Sequence, residues 1–315
     1  MKNKYLITGG SGFVGSNIVR SLVEKGERVG VIVRNKKLSW RIEDLVSKID
    51  IYESDILSSS LEAIVKKIRP DFVFHLAAYG VLPQERDTEK MVDINIKGTI
   101  NLLNAIKKSP VKLFVNTGSA VEYGTKMKKM RESDVLEPVN DYGVSKAAAT
   151  LYCQKEGIKN NLPIITLRLF TPFGKYEDKN RLIPSIILDN LNGQPIRVST
   201  PTSVRDFIYI EDVIDAYLKA TKVKFMPGEI LNIGFGKQHT IQDVVESIKK
   251  LTESPSKIAW GSVKQKQGFI EPKIWQADIS KTKRILNWKP KYTLDQGLDK
   301  TIDWFKKNKN FYVDN

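Results

Sequence analysis

A doubly wound parallel sheet of the α/β class, followed by a smaller C-terminal domain, is the architecture this sequence predicts, and three observations predict it. Short apolar runs of strand length alternate with stretches of helical periodicity up to about residue 172. A glycine-rich turn joins the first of those runs to the first helical stretch. Beyond residue 172 the alternation loosens as Pro172, Gly174, Pro184, Gly193, Pro195 and Pro201 accumulate, which places a boundary there.

Tyr5-Leu6-Ile7 is too short for a helix and apolar enough for a buried parallel strand. Thr8-Gly9-Gly10-Ser11-Gly12-Phe13-Val14-Gly15 follows and runs into Ser16 to Val23, where apolar residues recur at helical spacing. A strand, a glycine turn and a helix together seat a phosphate: this is the Rossmann arrangement. Gly9 allows the tight turn, Gly12 lets the backbone approach a pyrophosphate, and Gly15 lets the helix pack close to the strand. The free N–H groups and positive end of that helix face the anion.

Arg28 to Val33 is the second strand and Ile49 to Tyr52 the third. Leu61 to Ile68 is an amphipathic helix closed by Pro70, and Asp71 to Leu76 a fourth buried strand ending in Ala77-Ala78. A helix is expected from about Glu85 to Lys108, a strand from Lys112 to Val115, a helix from Tyr142 to Lys159 and a strand from Ile164 to Leu169. Right-handed βαβ units follow from this order. Residues 1–172 form the expected dinucleotide-binding domain, with the chain returning to it near 205–235, and 173–315 mainly a substrate-binding domain. No internal repeat or low-complexity segment interrupts this order.

Composition narrows the function classes. The 315-residue chain is 41% hydrophobic, enough for a core of that size. No apolar run approaches the roughly twenty residues needed to span a bilayer. Strand residues begin at once, without the charged and apolar regions of a secretion signal, and the single Cys153 forms no internal disulfide. No Cys/His cluster suggests a metal. A cytoplasmic protein is expected. The net charge of +15 comes from scattered lysines without aromatic interleaving, so nucleic acid is not the expected partner, although an anionic ligand benefits from the field.

Two positions bear on the cofactor. At the end of the second strand a carboxylate would accept hydrogen bonds from the adenosine ribose; the chain instead has Arg34, then Asn35, Lys36 and Lys37. A guanidinium suits a 2′-phosphate, so NADP is expected ahead of NAD. Asp55, after the third strand, is placed to meet the adenine amino group.

The expected chemical centre is Tyr142-Gly143-Val144-Ser145-Lys146. Residues four apart share a helix face, so phenol and ammonium lie side by side. A cation within about 4 to 6 Å favours the phenolate by about one to three pKa units, which brings tyrosine toward acid–base work. Ser119, at the exit of the preceding strand, is the hydroxyl expected to hold the substrate's oxygen.

With these motifs in hand, the chain resembles the extended short-chain dehydrogenases/reductases of the nucleotide-sugar epimerase, dehydratase and reductase group. The likeness covers almost its whole length. It is carried by the glycine turn, His75-Leu76-Ala77-Ala78, Asn95 to Thr99, Ser119 to Gly124, Tyr142 to Lys146, Leu167 to Phe170, Arg205 to Val213, Asn232-Ile233-Gly234 and Leu286 to Pro290. The resemblance implies a cofactor bound along Gly9, Ser11, Gly12, Phe13, Val14, Gly15, Arg34, Asn35, Asp55, Ile56, Leu76, Ala77, Ala78, Asn95, Tyr142, Lys146 and Phe170. It implies catalysis by Ser119, Tyr142 and Lys146, with substrate held by Ser119, Tyr142, Thr171, Arg181, Arg205 on the diphosphate and Glu271 toward the nucleotide ribose. It also implies a homodimer through the helices matching Glu85 to Lys108 and Tyr142 to Lys159.

Departures from the pattern separate its branches. Where 4,6-dehydratases carry acids before the Tyr-Gly matching Tyr123-Gly124, this chain has Ala120 and Val121, and Glu122 stands one position late. Thr171 replaces an asparagine common in epimerases, and Gly268 an arginine that some members place on the nucleotide. Arg34 tips the expectation to an NADPH-dependent reductase of a nucleotide-linked 4-keto-6-deoxyhexose, because a cofactor exchanged at each turnover is more often NADPH, with a nucleotide-sugar 4-epimerase retaining NAD(P) as the alternative. Ser119, Tyr142 and Lys146 at their proper spacing count against a non-catalytic dinucleotide sensor.

Overall fold

A computed structural model of the chain describes residues 2–35, 40–263 and 271–312; Lys36, Lys37 and Gly268 lie outside them. Along the chain come β1 (Lys4–Thr8), α1 (Phe13–Glu24), β2 (Arg28–Val33), a 3-10 helix (Trp40–Lys48), β3 (Asp50–Glu53), α2 (Ser60–Ile68), β4 (Phe72–His75) and α3 (Thr88–Met91). A π-helical turn (Val92–Lys97) leads into α4 (Gly98–Ile106), followed by β5 (Leu113–Ser119), α5 (Asp141–Asn160), β6 (Ile164–Leu169) and β7 (Thr171–Phe173). The remainder comprises α6 (Leu182–Leu191), β8 (Ile196–Val198), β9 (Val204–Arg205), β10 (Phe207–Tyr209), α7 (Ile210–Ala220), β11 (Glu229–Ile233), β12 (His239–Thr240), α8 (Ile241–Thr252), β13 (Ile258–Trp260), α9 (Ser280–Leu286) and α10 (Leu294–Lys307).

Seven strands form one parallel sheet in the order β11-β6-β5-β4-β1-β2-β3. Alternate side chains enter opposite layers. Ile7 joins the core under α1 and α7 with Ile18, Leu22 and Tyr217, whereas Leu6 joins the layer of Leu61, Val65, Leu102 and Leu103 on α2 and α4. The strand order reverses between β1 and β4, and open α/β sheets bind ligands at such a reversal, outside the carboxyl ends of the strands. Both strands end there in motif residues, Gly9 and Leu76-Ala77.

The expected strands and helices are present, with informative shifts. The single helix expected over 85–108 is divided, because the π-helical turn inserts at Val92–Lys97; such turns cluster at functional sites. β5 runs on to Ser119 instead of stopping at Val115, since its polar end finds partners: Asn116 donates to Thr166 Oγ1 (3.2 Å), and the Thr117 and Tyr217 hydroxyls lie 2.6 Å apart. The 3-10 helix at Trp40–Lys48 was not expected. It buries Ile42 and Leu45 and packs Trp40 against Phe311 and Tyr312.

Two later motifs act as clips. Asp212 accepts from Lys291 N (2.8 Å) and Tyr292 N (3.2 Å), while its carbonyl accepts from the buried Trp288 indole (3.1 Å). Asp206, fully buried, accepts from Phe235 N, Gly236 N and Ala277 N. These bonds fasten the turn before α10 to α7, and the segment around Ala277 to the loop that follows the edge strand β11. Removing the Asp212 carboxylate orphans two main-chain donors, a cost of about 1–3 kcal/mol. Asp212→Ala is accordingly expected to lower the urea unfolding midpoint, and an unchanged midpoint would refute the clip.

Candidate active site

The glycine turn has the geometry its residues predict. Gly9 adopts φ +71°, and a Cβ on it would lie 2.6 Å from Ala77 N, so no other residue fits between the ends of β1 and β4. A Cβ on Gly15 would sit on Gly9 O, which is why α1 approaches the strand so closely. Gly12 differs: a Cβ there would meet only Gly9 O, at 3.2 Å. Gly12 is also the N-cap of α1, which has no side-chain cap and no acidic residue in its first turn. The helix therefore presents its first N–H groups uncontested over a cradle that a side chain would fill. This fits a pyrophosphate. Ser11, Phe13 and Val14 line the turn, half-buried, as do Leu76, Ala77 and Ala78 opposite.

A chain of hydrogen bonds braces the floor. His75, fully buried, lies 2.7 Å from Thr8 Oγ1 and 2.9 Å from Thr99 Oγ1, and Thr99 donates to Asn95 O (2.6 Å). Since the Thr99 hydroxyl proton is committed, Nε2 of His75 carries the proton and Nδ1 accepts from Thr8. Burial, reinforced by Lys146, pushes the His75 pKa down to about 3. Asn95 in the π-helical turn uses both amide protons, on Tyr79 O (2.8 Å) and Ser145 Oγ (2.9 Å), and accepts from Tyr79 N. The residue expected to touch cofactor thus joins the loop after β4 to α5. Arg34, Asn35 and Asp55 stand at the exposed ends of β2 and β3; Asp55 Oδ1 accepts from Leu57 N (2.8 Å), and Ile56 is buried against Gly98.

α5 begins at Asp141 because Asn140 caps it by accepting from Gly143 N (2.8 Å). That start puts Tyr142 and Lys146 on one face, with the Ser119 side chain near enough to the Tyr142 phenol to favour its ionised form. Burial pushes the phenol up to about 12, Glu122 and Glu85 add to the rise, and Arg181 and Ser119 oppose it. Lys146 was expected to supply the depressing cation; among the protein's groups Arg181 supplies it, and burial prevails. Lys146 is buried, and desolvation lowers its pKa against the pull of Glu122. No carboxylate of the described residues lies within ion-pair distance of Lys146. With protein groups alone, then, the phenol is protonated at neutral pH.

Beyond Tyr142 two guanidiniums converge. Arg181 stands at the N-cap position of α6, donates to Val81 O (3.3 Å) and lies 3.7 Å from Glu177. Arg205 donates to Val204 O (2.6 Å), contacts Glu271 Oε2 at 3.4 Å and sits over the Trp275 ring. Burial lowers the Arg205 pKa, and the charge of Arg181 lowers it further. Paired guanidiniums of this kind suit a diphosphate. Thr171 N bonds Asp206 O beside them, and Phe170 is buried against Gly234. Gly80, Glu85, Glu177 and Trp275 were not singled out from the sequence. Gly80, at φ +96°, brings its loop onto the Tyr142 ring, and that loop follows the Ala77-Ala78 motif, the one signal available.

A sheet with a phosphate cradle at its strand reversal and a serine–tyrosine hydroxyl pair beside it defines a nicotinamide-dependent enzyme of the Rossmann class. The chain belongs to the NAD dependent epimerase/dehydratase family, whose model matches residues 5–234. It is an oxidoreductase-type enzyme acting on a nucleotide sugar. It is 32% identical to a UDP-N-acetyl-alpha-D-glucosaminuronate decarboxylase of Bacillus cytotoxicus (98% of this chain, 100% of that one). It is 28% identical to a UDP-glucose 4-epimerase of Lactobacillus helveticus (99% of each). Among solved structures it resembles the UDP-glucuronic acid 4-epimerase from Bacillus cereus in complex with UDP-glucuronic acid and NAD, at TM-score 0.85 and 29% identity, covering 96% of this chain and 99% of that one. No described helix is long and apolar enough to cross a membrane.

The depressed His75 pKa has a signed consequence. The unfolded chain binds a proton near pH 6.5 that the folded chain refuses until about pH 3, so stability is lost as pH falls below 6.5, by at most about 1.4 kcal/mol per unit. The thermal midpoint of His75→Gln is expected to fall less steeply between pH 6.5 and 4.5 than that of the parent; parallel curves would contradict a neutral, buried imidazole.

Proposed function

We propose that the chain is a nucleotide-sugar 4-epimerase that retains its nicotinamide dinucleotide through turnover, with UDP-sugars as substrates. The observation that carries the reading is the Ser119–Tyr142 hydroxyl pair placed between the phosphate cradle at Gly12 and the convergent Arg181 and Arg205. The relatives add support, since UDP-sugar 4-epimerases recur among them and several neighbours were solved with NAD. The epimerase alternative thus moves ahead of the reductase expected from sequence.

When bound, the cofactor supplies reversible acceptance and return of hydride. Tyr142 removes the proton of the sugar hydroxyl at C4 and restores it after the 4-keto sugar has turned over, while Ser119 holds that oxygen. Lys146 steadies the ribose and the phenolate, whose formation needs positive charge beyond what the protein's own groups provide. Arg205 and Arg181 grip the diphosphate, and Glu271 exchanges its contact with Arg205 for the nucleotide ribose. Elimination lacks an acid: Ala120 and Val121 carry none, and the Glu122 carboxylate is buried on Arg168. Residues 1–172, with the return near 205–235, are read as the dinucleotide part and 173–315 as the substrate part. A C2 pair through α5 fits Val144, Leu151 and Ile158, exposed at seven-residue spacing.

One observation favours the NADPH-dependent 4-keto-6-deoxyhexose reductase as a second reading: Arg34 lies exposed at the end of β2, where a carboxylate would select NAD. Purified protein incubated with UDP-glucose, UDP-glucuronic acid and UDP-N-acetylglucosamine, without added cofactor, is expected to interconvert at least one with its 4-epimer. Tyr142→Phe should slow that by about 10²- to 10⁴-fold at an unchanged thermal midpoint. Stoichiometric NADPH consumption with a nucleotide 4-keto-6-deoxyhexose, and no interconversion, would transfer the assignment to the reductase.

A further inference from the structure

Glu122 occupies a position that neither elimination nor the hydride chemistry uses, yet it is fully buried together with Arg168. One carboxylate oxygen, Oε1, accepts from Ser119 N (2.7 Å) and from Thr150 Oγ1 (3.0 Å). The other, Oε2, accepts from Arg168 Nε (2.7 Å). These partners come from the end of β5, from α5 one turn beyond Lys146, and from β6. Thr150 and Lys146 are four apart and share a helix face. The carboxylate therefore ties the main chain of the residue that holds the substrate oxygen to the helix that carries the phenol and the ammonium.

Room for the pair is built in. A Cβ on Gly118 would lie 2.7 Å from Glu122 Oε1 and 2.9 Å from Arg168 Cγ, so glycine is required beside Ser119 for the carboxylate to reach its place. The far side of the pair is also anchored. Arg168 donates to the Tyr123 hydroxyl (3.0 Å), which donates to Asn232 Oδ1 (2.7 Å), and Asn232 Nδ2 donates to Met130 O (2.9 Å). A buried charge so fully bonded cannot drift, and a shift of either hydroxyl-bearing element strains the same carboxylate.

We infer that Glu122, locked by Arg168, is a positioning residue that sets the separation between Ser119 and the Tyr142/Lys146 face of α5. The role rests on the catalytic reading of Ser119 and Tyr142 given above. Its charge also bears on the site: Glu122 raises the Tyr142 phenol and supports the Lys146 ammonium. Facing Tyr142 besides Glu122 are Arg181, Glu85 and Ser119.

Glu122→Gln leaves Arg168 buried without its partner and so tests folding first. Thr150→Val is the cleaner probe, because it is nearly isosteric and removes only the tether to α5. Thr150→Val is expected to lower kcat about tenfold or more with KM for the nucleotide sugar little changed, and Thr150→Ser to restore it. A second readout needs no substrate: the ring-carbon NMR signal of Tyr142 in [13Cζ]tyrosine-labelled protein, identified by its loss in Tyr142→Phe. It is expected to shift in Thr150→Val and not in Thr150→Ser. Unchanged kcat and an unmoved Tyr142 signal in Thr150→Val would overturn the role. A parent inert on every sugar would count against the proposed function, while the Tyr142 signal would still decide the positioning claim.

Discussion

The close approach of α1 to the ends of β1 and β4 is the constraint on which the rest of the molecule depends. Gly9 has no room for a Cβ against Ala77, and Gly15 none against Gly9, so helix and strand come together only through these glycines. The approach aims the first turn of α1 at the sheet's point of reversal and leaves the space at Gly12 open. Each later element is positioned relative to that crevice. β5 delivers Ser119 to its rim, α5 lays Tyr142 and Lys146 across it, and Arg181 just before α6 and Arg205 at the end of β9 close its far end.

Burial of polar groups keeps this geometry rigid and sets its chemistry. His75 is a neutral strut between two threonines, Asn95 a clamp between loop and helix, and Glu122 with Arg168 a closed ion pair beneath Ser119. Desolvation makes Tyr142 a weaker acid and Lys146 a weaker base than in water. Such a site favours a proton held between groups over free charge on any one of them. A bound nicotinamide dinucleotide and a nucleotide sugar would add their own charges to Lys146, Arg181 and Arg205. The chain's net charge of +15 attracts an anionic ligand to the molecule.

Local arrangements are legible in the chain because their physics is local. Strand-glycine-helix at the amino terminus, the four-residue step from Tyr142 to Lys146, and Ser119 at a strand exit each follow from a few neighbouring residues. What escaped depends on partners far along the chain. Glu122 is a stray acid until Arg168, 46 residues later, is seen on the next strand. Glu177 and Trp275 acquire meaning only beside Arg181 and Arg205, and the division of the helix over 85–108 arises from the π-helical turn that seats Asn95. Lys146 illustrates the same limit: proximity in sequence suggested that it governs the phenol, whereas burial and Arg181 do. Reductase and epimerase share their catalytic residues, so the choice between them rested on Arg34 alone.

On this reading the open space at Gly12, rather than the glycine content of the turn, receives the dinucleotide. Titration calorimetry of NAD and NADP into cofactor-stripped Gly12→Val measures it directly. Gly12 has an ordinary backbone conformation (φ −78°), so the substitution fills the cradle at the cost of one tight contact, its Cβ 3.2 Å from Gly9 O. The expected result is a thermal midpoint close to the parent's and binding of both nucleotides weakened by at least about tenfold, ~1.4 kcal/mol. A Gly12→Val protein that binds either one as tightly as the parent would contradict it.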